Sequence, residues 1–281
     1  MLVSLIMPTL NRFDDIYRFM DSLLEQTYKN FELIVVDQNE NNKVKEIVDK
    51  YVERLDIKYI KSNKKGLSYN RNLGIDVAKG EVLAFPDDDC AYKPDTVEKA
   101  INFFEKNQDY KIYSCKTLDF DEKEGFIKMN DGICEIKSTN ISFTVCSITF
   151  FVNFGEDRNY VKFDERLGVG AEFGAGEETD YVLELLSRGF KGRYFGDDII
   201  HHPVKKHSKS SAKYERDFNY GRGFGALCKK EIVYRKNYKF IKIMAYKLIR
   251  NIGGIILNKD RDYHEATIKG RIEGFRQYKK M

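Results

Sequence analysis

The feature that most constrains the fold is a regular exchange, over the first 90 residues, between short apolar runs and segments whose apolar residues recur at helical spacing. Residues 2–7 form an apolar run closed by Pro8 and a polar turn. Ile16, Phe19, Met20, Leu23 and Leu24 then share one helix face, with Asn11 or Asp14 available as a cap. Residues 31–36 read as a second buried strand, Val44, Ile47, Val48, Tyr51 and Val52 as a second amphipathic helix, and 57–60 as a third strand. A helix over 68–78 and a strand over 82–85 close the series. Strands separated by helices of this length need right-handed crossovers, so the spacing predicts an α/β fold with a mostly parallel central sheet flanked by helices.

After Asp89 the rhythm changes. Pro94 is expected at the first position of another helix running to about Lys106. Residues 111–120 and 141–152 read as longer β segments, and 177–187 as a helix. The β-rich middle predicts antiparallel additions to the sheet. From Lys209 the chain reads as helical and basic. Beyond residue 200 there are 21 Lys and Arg against 7 Asp and Glu, a balance of +14; with a whole-chain charge of +4, the first 200 residues carry −10. A uniformly solvated surface does not separate charge in this way. The expected organisation is therefore a catalytic domain over 1–205 and a basic helical C-terminal extension over 206–281.

The five cysteines form no CxxC pair and read as reduced thiols, with neither a disulfide scaffold nor a structural zinc site. The opening MLVSLIMPTL lacks a basic n-region and meets a proline too early for a signal peptide, and no run approaches a membrane span. A cytoplasmic location is expected, with peripheral attachment to the inner face of the cell membrane as its variant.

In open α/β sheets, ligands bind beyond the carboxyl ends of the strands. Strand one delivers Pro8, Thr9, Asn11 and Arg12 there, strand two Asp37, and strand four Asp87, Asp88 and Asp89. A single aspartate at a strand end is usually a cap or a turn residue. Three in succession after an apolar strand are unfavourable unless a cation or a ligand's donors compensate, and hard oxygen ligands suit Mg²⁺ or Mn²⁺. No GxGxxG follows strand one and no GxxxxGK[ST] occurs, so a phosphate ligand must be held by the metal and basic side chains, Arg71 being one candidate. The alternative for Arg71 is an ordinary surface ion pair. A second acidic cluster, Glu177, Glu178 and Asp180, follows a glycine-rich loop. Acids at a helix start favour the macrodipole, but three exceed that need, and a general base for an acceptor hydroxyl is a natural role. Of His201, His202 and His207, His202 precedes Pro203 at a strand end and is the better metal ligand.

These residues, in this order, resemble glycosyltransferase family 2 and its GT-A fold over residues 3 to 203. SLIMPTLNR is similar to the first strand and nucleotide-binding loop, FELIVVDQ to the second strand with its base-contacting aspartate, and GLSYNRNLGIDVAKGEVLAFPDDD to the helix running into the DxD strand. VKFDERLGVGAEFGAGEETDYVLELLSRG resembles the acceptor-side loop and the helix that supplies the base. The resemblance implies an inverting, metal-dependent transfer from a nucleotide-diphosphate sugar, a UDP-sugar, to a saccharide or lipid-linked saccharide acceptor. It places Pro8, Thr9, Asn11, Asp37 and Arg71 in the nucleotide-sugar pocket together with Asp87 and Asp88. It makes Asp89 a ligand of Mn²⁺ or Mg²⁺ with His202 (His201 the alternative), and Glu178 the base, with Glu177 and Asp180 as rivals. A sugar nucleotidyltransferase needs a glycine- and arginine-rich loop where this chain has PTLNR. A non-catalytic carbohydrate-binding protein on the same fold has no need of both acidic clusters.

Within the tail, Phe240, Met244, Leu248, Ile252, Ile255 and Ile256 fall on one side of a helical pattern. Lys236, Lys239, Lys242, Lys247 and Arg250 fall on the other, before Gly253-Gly254 weakens the helix. Either the apolar side packs on the catalytic domain, or the helix meets an anionic membrane surface. No nucleic-acid-binding motif accompanies the charge, so nucleic acid is not expected as a partner.

Overall fold

A computed structural model describes residues 1–125, 127–204 and 211–279. The expected boundary at 205/206, Lys209 and His207 lie outside the described residues. The first elements run β1 (Val3–Thr9), α1 (Asp14–Leu24), β2 (Phe31–Asp37), α2 (Lys43–Val48), β3 (Ile57–Lys61), α3 (Leu67–Ile75) and β4 (Val82–Ala84). β1 pairs in parallel with β2 and β4, and β2 with β3. Every residue of β1, β2 and β4 is buried. Both faces of these strands are covered, which is why they read as largely apolar runs rather than alternating ones.

Next come β5 (Ala91–Tyr92), α4 (Thr96–Lys106), β6 (Tyr110–Leu118), β7 (Ile133–Ile136), β8 (Phe150–Asn153), α5 (Glu177–Ser187) and β9 (Lys191–His201). They complete a sheet of order β3-β2-β1-β4-β8-β6-β9-β5, with β7 also on β9. The expected antiparallel additions are the pairings β4–β8, β6–β8, β5–β9 and β7–β9. Leu5, Met7, Leu33 and Val35 join Ile16, Phe19, Leu23, Phe104 and Phe151 in the main core. All strands belong to a first unit comprising Met1–Lys65, Tyr69–Lys162 and Tyr181–Lys205.

Several local expectations are corrected. β1 continues through Pro8, because β4 pairs only with Val3–Leu5 and the missing N–H lies past the end of that ladder. Phe13, not Asn11 or Asp14, occupies the N-cap of α1, since Asn11 sits at φ 57° in the loop before it. α2 stops at Val48, and Val52 is exposed. α4 starts at Thr96 rather than at Pro94, whose carbonyl instead accepts the Thr27 N–H. The span 141–152 is mostly not a strand: two 3₁₀ turns, Ile141–Phe143 and Ser147–Thr149, precede β8. There the Thr149 hydroxyl accepts the Cys146 N–H at 3.1 Å, and Ser114 Oγ donates to the Thr144 carbonyl at 2.7 Å. Short polar side chains thus divert a β-prone run into turns.

The second unit gathers Gly66–Ser68, Phe163–Asp180 and Lys206–Met281, so it takes in a mid-chain segment as well as the tail. Its helices are α6 (Ser211–Lys229), continued by a π-helical turn Lys230–Tyr234, then α7 (Lys239–Ile256) and α8 (Arg261–Gln277). α6 and α8 meet backbone to backbone. A Cβ at Gly225 would collide with the Arg271 carbonyl, and one at Gly274 with that of Arg222. Leu167, Phe173, Ala226 and Tyr278 form the core of this unit.

The face assignment of α7 is also corrected. Phe240 and Asn251 are its buried residues, whereas Ile252 and Ile256, expected on the packed side, are exposed. Lys247, expected among the solvated cations, is half-buried with its ammonium 5.1 Å from the Phe224 ring centroid. Arg271 donates to the Lys247 carbonyl at 2.9 Å and lies over the same ring. An aromatic face that accepts cations draws Lys247 inward. The helix runs through Gly253-Gly254 to Ile256. Among the described residues no helix is long and apolar enough to cross a membrane.

Candidate active site

The polar residues of the first unit converge where β1 and β4 end. Thr9, the last residue of β1, donates its hydroxyl to Asp88 Oδ2 at 2.7 Å. Asp87, Asp88 and Asp89 follow β4, and two residues later β5 pairs antiparallel with β9, with Ala91 opposite His201. That pairing carries the next residue, His202, to the aspartate triplet, where its Nε2 stands 3.1 Å from Asp89 Oδ1. One ligand atom each from Asp87, Asp89 and His202 lie within 4.8 Å of one another. His201, on the opposite side of the strand, is 2.9 Å from Glu122 instead.

Two guanidinium groups face this cluster. Arg71, fully buried on α3, reaches Asp87 Oδ1 at 3.2 Å. Arg12 Nη1 is 3.1 Å from Asp88 Oδ1 and ion-pairs with Asp89. Burial opposes the Arg12 charge, but Asp88, Asp89 and Asp87 outweigh it and raise its pKa. Burial also pushes the Asp88 carboxyl up to about 7, against the Thr9 hydrogen bond and the Arg12 charge. One oxygen each of Asp87 and Asp89 and one imidazole nitrogen of His202 are close enough to form a site for a cation. Its donor set of carboxylate oxygens and one imidazole nitrogen suits Mn²⁺ or Mg²⁺.

Beside this cluster, the Asn11 N–H donates to Asn39 Oδ1 at 2.7 Å, and Pro8 is buried within β1. Asp37, at the end of β2, is fully buried and holds four of the chain's own donors. Asn39 N and Nδ2 lie 2.8 and 2.7 Å from its Oδ1, and Tyr59 Oη and Lys61 Nζ lie 2.7 and 2.9 Å from its Oδ2. Burial alone would raise its pKa, but these donors hold it below the usual carboxylate range. Four donors saturate a carboxylate.

Glu178 belongs to the second unit, in the first turn of α5 with Glu177 and Asp180. Asp180 is 3% exposed, and its two oxygens each lie 2.8 Å from a cation, Lys230 Nζ and Arg235 Nη1. Lys230 also reaches Asp164 at 2.8 Å, and Arg235 pairs with Glu231. Asp180 is thus bound into an ion network, Glu177 is buried, and Glu178 is the more accessible of the three. The network went unread in the sequence, although Glu231 and Arg235 have the i, i+4 spacing of a helical pair. Arg12 stood at the strand end without a role; its proximity to the triplet depends on the loop that follows Thr9.

The family model Glycosyl transferase family 2 matches residues 4–165. The UDP-Glc:alpha-D-GlcNAc-diphosphoundecaprenol beta-1,3-glucosyltransferase WfaP of Escherichia coli is 35% identical over 225 residues, 76% of this chain and 82% of that protein. Matches to two Rickettsia glycosyltransferases and to TarP of Staphylococcus aureus are shorter, and the chain spans 17%, 17% and 52% of their lengths. Residues 1–349 of S. aureus TarS in complex with UDP-GlcNAc align with a TM-score of 0.62 at 17% identity, over 97% of this chain and 92% of that one. The mannosyltransferase PcManGT of Pyrobaculum calidifontis, in complex with GDP-Man and Mn²⁺, aligns with a TM-score of 0.66 at 13% identity, over 97% and 86%. At these identities the structural likeness is one of fold, the GT-A arrangement.

Proposed function

Because the chain belongs to glycosyl transferase family 2, we propose that this glycosyltransferase moves a sugar from a UDP-sugar to the hydroxyl of a saccharide or lipid-linked saccharide during assembly of a surface polysaccharide or glycolipid. The observation that carries the reading is the convergence of Asp87, Asp89 and His202 at the carboxyl end of the parallel strands. The UDP and lipid-linked elements draw on WfaP, whose name states a UDP-Glc donor and a diphosphoundecaprenol-linked acceptor, and on TarS, which binds UDP-GlcNAc.

In this reading Pro8, Thr9 and Asn11 shape the nucleotide pocket, and Asp37 holds its Asn39 and Lys61 wall in place. Arg71 sets Asp87 against the donor, while Thr9 and Arg12 fix Asp88. Asp89 and His202, with Asp87 beside them, would hold Mn²⁺ or Mg²⁺, which would supply positive charge to offset that of a diphosphate leaving group. Glu178 takes the proton of the acceptor hydroxyl. As it does so, the acceptor oxygen bonds to the anomeric carbon, the bond to the diphosphate breaks, and configuration inverts. The work is placed in the cytoplasm, at the inner face of the membrane, where lipid-linked acceptors are presented.

Calorimetric titration with UDP tests the site. Binding should require Mn²⁺ and should lose that requirement, along with most of its affinity, in Asp89→Ala. Unchanged Mn²⁺-dependent affinity in a folded Asp89→Ala protein would remove the triplet from the site.

A further inference from the structure

Helix α7 turns an apolar face outward. Tyr238, Ile241, Ala245, Ile249, Ile252 and Ile256 succeed one another at three- and four-residue steps, so they form one stripe along the helix. All six are exposed, Ile249 at 68% and Ile256 at 76%. Along one flank run Lys242, Tyr246, Lys239 and Arg250, also exposed. Single exposed apolar residues are ordinary, but a continuous stripe of isoleucines marks an interaction surface.

The charge around the stripe selects the occupant. No Asp or Glu occurs from Ile232 to Lys259. Among the described residues, none of Lys239, Lys242 and Arg250 forms an ion pair. Behind them Lys247 and Arg271 share the Phe224 ring, likewise with no carboxylate partner among the described residues. A second copy of this chain would bring the same acid-free, positive helix against itself, and like charges facing one another oppose that contact. An anionic bilayer offers the complement on both counts, acyl chains for the isoleucines and phosphates for the cations.

We infer that α7 is a membrane-docking helix that lies in the plane of an anionic lipid surface. Ile241, Ile249, Ile252 and Ile256 enter the boundary of the acyl chains, Tyr238 and Tyr246 sit at headgroup level, and Lys239, Lys242 and Arg250 extend to the phosphates. The inference deepens the membrane element of the function proposed above and rests on that reading only for its purpose.

Sedimentation of the full chain with vesicles tests it, without donor or acceptor present. The chain should pellet with vesicles of phosphatidylcholine and phosphatidylglycerol, far less with phosphatidylcholine alone, and should be released as salt is raised. Lys239→Gln, Lys242→Gln and Arg250→Gln together should lower partitioning about 100-fold, at about fivefold per charge. Ile249→Gln with Ile256→Gln should also abolish pelleting while far-UV circular dichroism and donor hydrolysis stay unchanged. No binding, or equal binding to both vesicle types, would overturn the inference. So would a dimer, dissociated by the Ile249→Gln and Ile256→Gln changes, that binds no vesicles, since the face would then belong to a second copy. Loss of sugar transfer with vesicle binding intact would indict the reaction proposed above and leave this surface standing.

Discussion

Asp180→Asn keeps the volume of the side chain and removes the charge that Lys230 and Arg235 share, each 2.8 Å from one of its oxygens. Breaking a buried ion pair typically costs about 3–5 kcal/mol because it strands the partner. Here neither partner is stranded: Lys230 retains Asp164 at 2.8 Å, and Arg235 retains Glu231. The asparagine also needs less desolvation than the carboxylate it replaces. We therefore expect a loss of about 2–3 kcal/mol. For a chain of this size that lowers Tm by about 5–10 °C. The chain has no tryptophan, so far-UV circular dichroism is the suitable probe. Below the transition, UDP affinity and turnover should remain near those of the wild type. A Tm within about 2 °C of the wild type, combined with turnover lowered by orders of magnitude, would refute the argument and move Asp180 from the ion network into the chemistry.

Glu178→Gln should leave UDP affinity unchanged but lower turnover by about 10²–10⁴-fold, the range for a lost general base. Near-normal turnover under single-turnover conditions would transfer the role to Glu177. Gly225→Val should destabilise the α6–α8 contact by about 1–3 kcal/mol or more, because its Cβ meets the Arg271 carbonyl, which belongs to backbone and has little room to yield. An unchanged Tm for that variant would mean the two helices separate easily.

The parallel half of the sheet was legible because β1, β2 and β4 are buried on both faces and leave apolar runs interrupted within the strands only by Ser4 and Glu32, which hydrogen-bond to each other. The aspartate triplet was legible for an electrostatic reason, and the preference for His202 over His201 agrees with the alternation of side chains along β9. What escaped depended on contacts distant in sequence. Residues 141–149 carry a β-like composition, yet hydrogen bonds of Thr149 and Ser114 turn the backbone. Helical spacing grouped Ile252 and Ile256 with Phe240 and set Lys247 opposite them, whereas the buried face follows Phe224 and Arg271, which lie on other helices. The saturation of Asp37 depends on Tyr59 and Lys61, brought alongside by the β2–β3 pairing. Asp180 was inseparable from its neighbours in the acidic cluster until Lys230 and Arg235 were seen against it.

The central claim is that Asp87, Asp89 and His202 form the metal-dependent centre of a sugar transfer. It is tested most directly by measuring UDP released from a panel of UDP-sugars by the wild type and by Asp89→Ala, each with Mn²⁺ and with EDTA. The account predicts release from at least one donor by the wild type with Mn²⁺, its loss in EDTA with recovery on re-addition of the ion, and no release by a folded Asp89→Ala protein under either condition. Release that persists in EDTA, or that survives in Asp89→Ala, would contradict it.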